Sequence, residues 1–142
     1  MRLRIITIGK LKDAALASSC QTYVERSRRF LPIELIACRD AAAQWSRARD
    51  DDGPNVLLDE RGQQLTTTAL ASWFEGWRDH GVRTVDLLIG DAHGFSDADR
   101  RAADRVLALS RLTLPHRLVQ LLLCEQLYRV GTVLAGHPYH HA

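Results

Sequence analysis

Short β-rich runs and helix-period segments alternate along nearly all of the 142-residue chain. Leu3–Ile8 is β-rich and closes at Gly9, which predicts a strand. Residues 13–30 then place Leu16, Cys20, Tyr23, Val24 and Ser27 on one side of a helix. Pro32 breaks that helix ahead of a second apolar run, Ile33–Cys38. Residues 39–53 are polar and Ala-rich, and read as a short or frayed helix followed by a loop at Asp50-Asp51-Asp52-Gly53. Val56–Leu58 is a third strand, stopped by Asp59-Glu60-Arg61-Gly62. Thr66 or Thr67 caps a helix that presents Leu70, Trp73, Phe74 and Trp77 on one face and ends at Gly81. Thr84–Ile89 is a fourth strand. Ser96 with Asp99 three residues later resembles a capping box, opening a helix with Ala98, Ala102, Val106 and Leu109 on one face. Ser110–Leu114 reads as the last strand. Pro115 opens a final helix, stopped by Gly136 and Pro138. Such alternation predicts an α/β protein with a mainly parallel sheet, as one domain over residues 1–142.

At 46% hydrophobic and 25% charged residues, the composition excludes a disordered chain. No apolar run reaches the length of a membrane span. The N-terminal run Ile5-Ile6-Thr7-Ile8 is too short for a signal peptide, so a cytoplasmic location is expected. Cys20, Cys38 and Cys124 are widely spaced and form no C-x-x-C pair. Neither a metal site nor a redox motif is therefore expected. The net charge of +2 says little about partners, but its distribution says more. Residues 1–29 carry seven basic side chains against Asp13 and Glu25, a local net of +5. Lys10, Lys12, Arg26, Arg28 and Arg29 within that stretch suit a phosphate backbone.

In a parallel sheet, ligands bind in the crevice beyond the carboxyl ends of the strands. Three segments leave strands there: Leu57–Gly62, Ile89–Gly94 and Leu109–His116. The second contains Gly90 and Gly94, residues that permit close backbone approach. Their spacing matches neither G-x-G-x-x-G nor a Walker A loop, which disfavours dinucleotides and triphosphates. The final helix is apolar almost all round, from Leu118 to Leu134. It is either a central core helix or one packed on a second subunit as well, and the second reading is favoured for so small a chain. Glu125 and Arg129 are placed to pair on it. The tail His137-Pro138-Tyr139-His140-His141-Ala142 is dense in groups that titrate or hydrogen-bond near neutral pH.

Together, Leu57–Gly62, Leu87–Gly94 and above all Leu112-Thr113-Leu114-Pro115-His116 through Leu123-Cys124-Glu125-Gln126-Leu127-Tyr128-Arg129 to His137-Pro138-Tyr139-His140 resemble one family closely. It is the ribosomal RNA large subunit methyltransferase H family, of the SPOUT class. The resemblance spans nearly the whole chain, including the opening Ile8-Gly9-Lys10-Leu11-Lys12. It implies an α/β fold with a deep C-terminal trefoil knot, a homodimer, and S-adenosylmethionine as methyl donor. It further implies methylation at N3 of a pseudouridine in 23S ribosomal RNA of assembled ribosomes. Carried over by position, the cofactor contacts are Leu58, Gly90, Leu109, Ser110, Arg111, Leu112, Thr113 and Leu114. Tyr139, His140 and, across the subunit boundary, Arg129 are the catalytic candidates. This sequence departs from the family pattern at Asp91, where a second glycine is usual, and at His93. It also departs at its end, where His141 and Ala142 stand in place of Arg or Lys, and in the segment 39–55, which is shorter. Two other functions are compatible with the same residues: a non-catalytic ribosome-binding or assembly factor, and a transfer RNA methyltransferase of the same fold.

Overall fold

The computed structural model describes residues 1–50 and 52–141; the expected positions of Asp51 and Ala142 lie outside the described residues. The elements run β1 (Arg2–Ile8), α1 (Ala14–Ser27), β2 (Ile33–Cys38), α2 (Ala41–Arg49), β3 (Asn55–Gln64), α3 (Thr67–Asp79), β4 (Thr84–Ile89), α4 (Asp97–Ala102), β5 (Arg105–Ala108) and α5 (His116–Leu134). The five strands form one sheet in the order β2-β1-β4-β3-β5. Every neighbouring pair is parallel. The expectation of a mainly parallel sheet therefore holds in a stronger form.

Alternate strand residues face opposite ways and divide the core in two. Leu3, Ile5, Val85, Leu87, Val56 and Leu58 face α1, α3 and α5. Ile6, Leu57 and Leu88 face the other side, with Ala48 and Trp45 of α2 and Phe95, Ala103 and Val106. On this second side β1 and β4 carry a buried ion pair. Arg4 Nε donates to Asp86 Oδ1 (2.6 Å), and Arg4 Nη2 donates to Asp86 Oδ2 (2.7 Å) and to the Arg47 carbonyl (3.1 Å). A bidentate pair of this kind satisfies two charges that would otherwise be costly to bury.

The helix starts follow from the sequence. Asp13, Asp40 and Thr66 accept from backbone N–H groups of the first turns of α1, α2 and α3. Ser96 and Asp99 close the expected capping box. The region after β4 differs from expectation. The helix read as reaching Leu109 ends at Ala102, and the strand read over Ser110–Leu114 is a loop; β5 lies between them. The cause is a reciprocal clamp across the sheet edge. Asn55 N donates to Asp104 Oδ2 (2.9 Å), and Asp104 N donates to Asn55 Oδ1 (3.1 Å). This sets Arg105–Ala108 beside β3. β3 itself is longer than expected. It pairs with β5 at Val56–Leu58 and again at Gln63–Gln64, with a register shift between. Asp59–Gly62, read as a stop, is thus a bulge within a strand.

α5 lies between α1 and α3 on the sheet, with Leu123, Cys124, Leu127 and Val130 fully buried. Most of its all-round apolar character is accounted for inside one chain. Leu118 and Leu122, at 38% and 44% exposure, are the large apolar side chains it leaves open. Among the described residues no helix is long and apolar enough to cross a membrane.

Candidate active site

The carboxyl ends of β3, β4 and β5 open onto a cleft of about 590 Å³. Its walls are the β3 bulge, the loop after β4, the loop 109–114 and the start of α5. Of the expected cofactor contacts, Leu58, Gly90, Leu109, Ser110, Leu112, Thr113 and Leu114 line it; Arg111 does not. The loop 109–114 has left the sheet, so its backbone is not paired with a neighbouring strand, and within it Leu112 N donates to Ser110 Oγ (3.0 Å).

The loop after β4 is held tight by its own groups. A Cβ at Gly90 would stand 3.3 Å from both Gly94 Cα and Phe95 Cε2. Gly94 has φ +68°, a left-handed conformation that favours glycine. Asp91 accepts from His93 N through Oδ1 (2.9 Å). Its carboxylate therefore closes the turn that carries it. Across the cleft, Arg100 ties the loop to the bulge. Arg100 Nη1 donates to Asp59 Oδ2 (2.9 Å) and to the Phe95 carbonyl (2.8 Å), and Nη2 donates to Asp97. Hydrogen bonding to Arg100 holds the Asp97 carboxyl below its ordinary range, and the same bonds raise the guanidinium. Sequence reasoning missed this clasp, because Asp59 and Arg100 meet only through the fold. It also missed Gln44, a fully buried side chain of α2. Gln44 Nε2 donates to the carbonyls of Ile6 and Ile89 (both 2.8 Å), fixing the ends of β1 and β4 just before Gly90.

The expected catalytic residues come together, but elsewhere. Arg129 Nε donates to Glu125 Oε1 (2.9 Å), with a second bond from Nη2 (2.5 Å). Tyr139 Oη donates to the same oxygen (3.1 Å), and Arg129 Nη1 stands 3.3 Å from His140 Nδ1. The guanidinium lies 5.0 Å from the Tyr139 ring centroid, and that ring packs on Tyr128 at 4.6 Å. Burial, reinforced by the Glu125 charge, pushes the Tyr139 phenol up; the bond to Glu125 raises Arg129. None of Arg129, Tyr139 and His140 lines the cleft of the same chain. His116 does, and Arg129 lies thirteen residues further along α5, about 20 Å at the helical rise.

The five expected RNA contacts separate in a similar way. Lys10 and Lys12 line a second depression beside the cleft. Arg26, Arg28 and Arg29 sit at or just past the far end of α1, near the tail. There Arg28 pairs with Glu25 (2.9 Å), Arg26 lies over Tyr23 and Arg29 over Phe30. Among the described residues no three His, Cys, Asp or Glu side chains are placed to hold a metal ion.

An all-parallel sheet with a glycine-bearing cleft at its carboxyl edge, closed by a loop and a long last helix, matches a known class of enzyme. The chain belongs to the SPOUT methyltransferase family: residues 1–140 match the family described as "Predicted SPOUT methyltransferase". Its relatives narrow this further. It is 42% identical over 154 residues to the ribosomal RNA large subunit methyltransferase H of Geobacter metallireducens, covering 100% of both chains. The same protein of Geobacter sulfurreducens is 40% identical, over 99% of this chain and 100% of that one. Two solved structures share the fold. A probable methylase family protein from Haemophilus influenzae superposes with TM-score 0.66 at 12% identity, over 99% of this chain and 70% of that one. A probable methyltransferase from Bordetella pertussis does so with TM-score 0.57 at 14% identity, over 91% and 95%.

Proposed function

We propose that this protein methylates N3 of a pseudouridine in 23S ribosomal RNA of assembled ribosomes, in the cytoplasm, with S-adenosylmethionine as donor. The observation that carries the reading is the separation of the two halves of the site along α5, in a chain whose relatives bear the name of a large-subunit rRNA methyltransferase.

The cleft fits the donor. Its volume is in the range of small-molecule sites, about 300–1,000 Å³. The Gly90–Gly94 turn and the loop 109–114 offer backbone groups to an adenine edge. When bound, S-adenosylmethionine supplies an electrophilic methyl on a positive sulfur. The chain's part is to bind, orient and exclude water.

Transfer would form the bond from N3 to the methyl carbon as the donor's S–C bond breaks, leaving S-adenosylhomocysteine, and the displaced N3 proton would pass to solvent. Arg129, held cationic by Glu125, stabilises negative charge as it develops on the ring. Tyr139, whose proton is held tightly and donated to Glu125, is a stacking and positioning group rather than a base. An Arg N–H can only donate, so His140 accepts at Nδ1 and carries its proton on Nε2. That N–H is free to donate to a ring carbonyl.

The tail must then reach a cleft about 20 Å from its own, and a second copy supplies the geometry. Leu118 and Leu122, four residues apart, form an exposed strip between the cleft end and the Glu125–Arg129 end of α5. An antiparallel α5–α5 contact about a two-fold axis brings each tail to the partner's cleft. The knot implied by the family is part of the proposal. Its support is the path after the edge strand β5: the chain passes the Gly90 loop and sends α5 back between α1 and α3.

The test is labelled-methyl transfer to ribosomes from cells lacking the protein, followed by mass spectrometry of the 23S RNA. A single methylated pseudouridine is expected. Label in transfer RNA, or cofactor binding without transfer, would refute the reading.

A further inference from the structure

Beside the cofactor cleft lies a second depression of about 530 Å³, between the segment after β1 and the start of α5. The two share Ile89, Gly90, Pro115 and His116, so one strand end and one helix start separate them. Its fixed charges are Lys10, Lys12 and Arg117 against Asp13 alone, and Asp13 is engaged as the α1 cap (3.1 Å to Leu16 N). The 19-residue α5 opens into it with Pro115 at the cap and no side-chain acceptor for its first N–H groups. An uncapped helix start with basic neighbours favours an anion. One turn along α5, Gln120 lines the same wall. It is 9% exposed, and among the described residues no side-chain hydrogen bond holds its carboxamide, whose atoms stay open to the depression. A largely buried side chain whose amide tip opens on a depression is placed to donate and accept toward whatever fills it.

We infer that this depression seats the acceptor nucleotide, and that Gln120 reads the N1–H and C2=O edge of pseudouridine. The inference rests on the function proposed above. Pseudouridine joins its ribose through C5, so N1 keeps its hydrogen and lies beside C2=O. A carboxamide matches that edge: Oε1 accepts from N1–H, and Nε2 donates to C2=O. Uridine carries its ribose on N1, so it can offer such a pair only through N3–H and cannot make it while leaving N3 free. N3, on the other side of C2, stays free toward the shared Gly90 wall. The 5′-phosphate falls to Lys10, Lys12, Arg117 and the first amides of α5, contacts that position without reading sequence.

The test uses the ¹⁵N-labelled full-length protein with S-adenosylhomocysteine, titrated with pseudouridine 5′-monophosphate, uridine 5′-monophosphate and inorganic phosphate. Pseudouridine monophosphate should shift the Gln120 side-chain amide together with the Lys10, Lys12 and Arg117 backbone amides. It should bind about 10-fold more tightly than uridine monophosphate, the discrimination of one net hydrogen bond. Gln120→Leu should abolish that preference and lower kcat on ribosomes at least about 10-fold, with cofactor affinity by calorimetry unchanged. Equal binding of the two nucleotides overturns the inference. So does phosphate alone reproducing the whole pattern, which would mean an adventitious ion only. A Gln120 shift caused by deleting residues 138–142, with none from the nucleotide, also overturns it and assigns the depression to the partner's tail. Wild-type protein inactive on ribosomes would refute the proposed function, while the nucleotide titration still decides the seat. Active wild type with an unimpaired Gln120→Leu variant refutes the seat alone.

Discussion

Two inactive variants of this protein, mixed as dimers, should recover activity that neither has alone. Gly90→Leu fills the cofactor cleft, since even a Cβ at Gly90 meets Gly94 and Phe95 at 3.3 Å. Arg129→Gln removes the cation held by Glu125. The two positions lie at different ends of α5, about 20 Å apart, and on the proposed two-fold arrangement each active site takes its cleft from one chain and its tail from the other. In a mixed dimer, one site combines the intact cleft of one protomer with the intact tail of the other, and the second site carries both defects. Random pairing makes half the dimers mixed, so about 25% of wild-type sites should be restored. The assay is labelled-methyl incorporation into unmodified ribosomes after the two variants are co-expressed under separate tags. A site built within one chain predicts no recovery, because every protomer carries a defect. Recovery below about 2% with mixed dimers verified would refute the composite site.

Gly62→Ala should destabilise the fold by about 1–3 kcal/mol or more. The new Cβ would lie 2.7 Å from Val106 C and O and 2.8 Å from Leu107 C, all backbone atoms that cannot rotate away. An unchanged urea midpoint would contradict it. Gln44→Leu strips the Ile6 and Ile89 carbonyls of their donors, and should lower stability by about 1–3 kcal/mol. It should also weaken cofactor binding, which calorimetry reads directly; retention of both would dismiss Gln44 as a positioning residue. Tyr139 should ionise above the ordinary tyrosine value of about 10. A raised pKa means the folded state favours the protonated phenol, so its contribution is present below that value and lost as pH climbs through the folded one. Phenolate absorbance, taken as the difference from Tyr139→Phe, should show this, and Glu125→Gln should bring the titration down. Ionisation at or below 10 would contradict the assignment.

The strand and helix order was legible wherever one hydrophobic period ran long enough to exclude the other. Leu70, Trp73, Phe74 and Trp77 define a helical face, and Leu70 and Phe74 are indeed buried. The reading failed around residue 105. Ala98, Ala102, Val106 and Leu109 fall at helical spacing, yet Val106 belongs to a four-residue strand too short to show a period. What places it there is the clamp between Asn55 and Asp104, 49 residues apart in sequence. Gly62 read as the end of a strand; it is instead the point where two strands approach too closely for a side chain. At the site, glycines and strand ends located the cleft, since those are local signals. The Arg4–Asp86 pair, the Asp59–Arg100 clasp and the two bonds of Gln44 were not legible. Each uses polar side chains that look like ordinary surface positions until the fold brings them to their partners, which for Gln44 are the backbone carbonyls of Ile6 and Ile89.

Because α5 carries a cleft-lining residue at one end and a tail-binding residue at the other, its length acts as a ruler. One inserted residue between His116 and Arg129 would shift the guanidinium about 1.5 Å along the axis and turn it about 100° around it. Glu125, Arg129 and Tyr139 would no longer face the same groove. Drift in chain length within this stretch is therefore confined to steps near whole turns. Even a whole turn would move the tail about 5.4 Å relative to the cleft. The segment between β2 and β3 is held where Gln44 of α2 donates to the Ile6 and Ile89 carbonyls beside Gly90, while the rest of that connection is not measured against the tail cluster. A change of length there is compatible with the site only where it leaves α2 and Gln44 in register with β1 and β4.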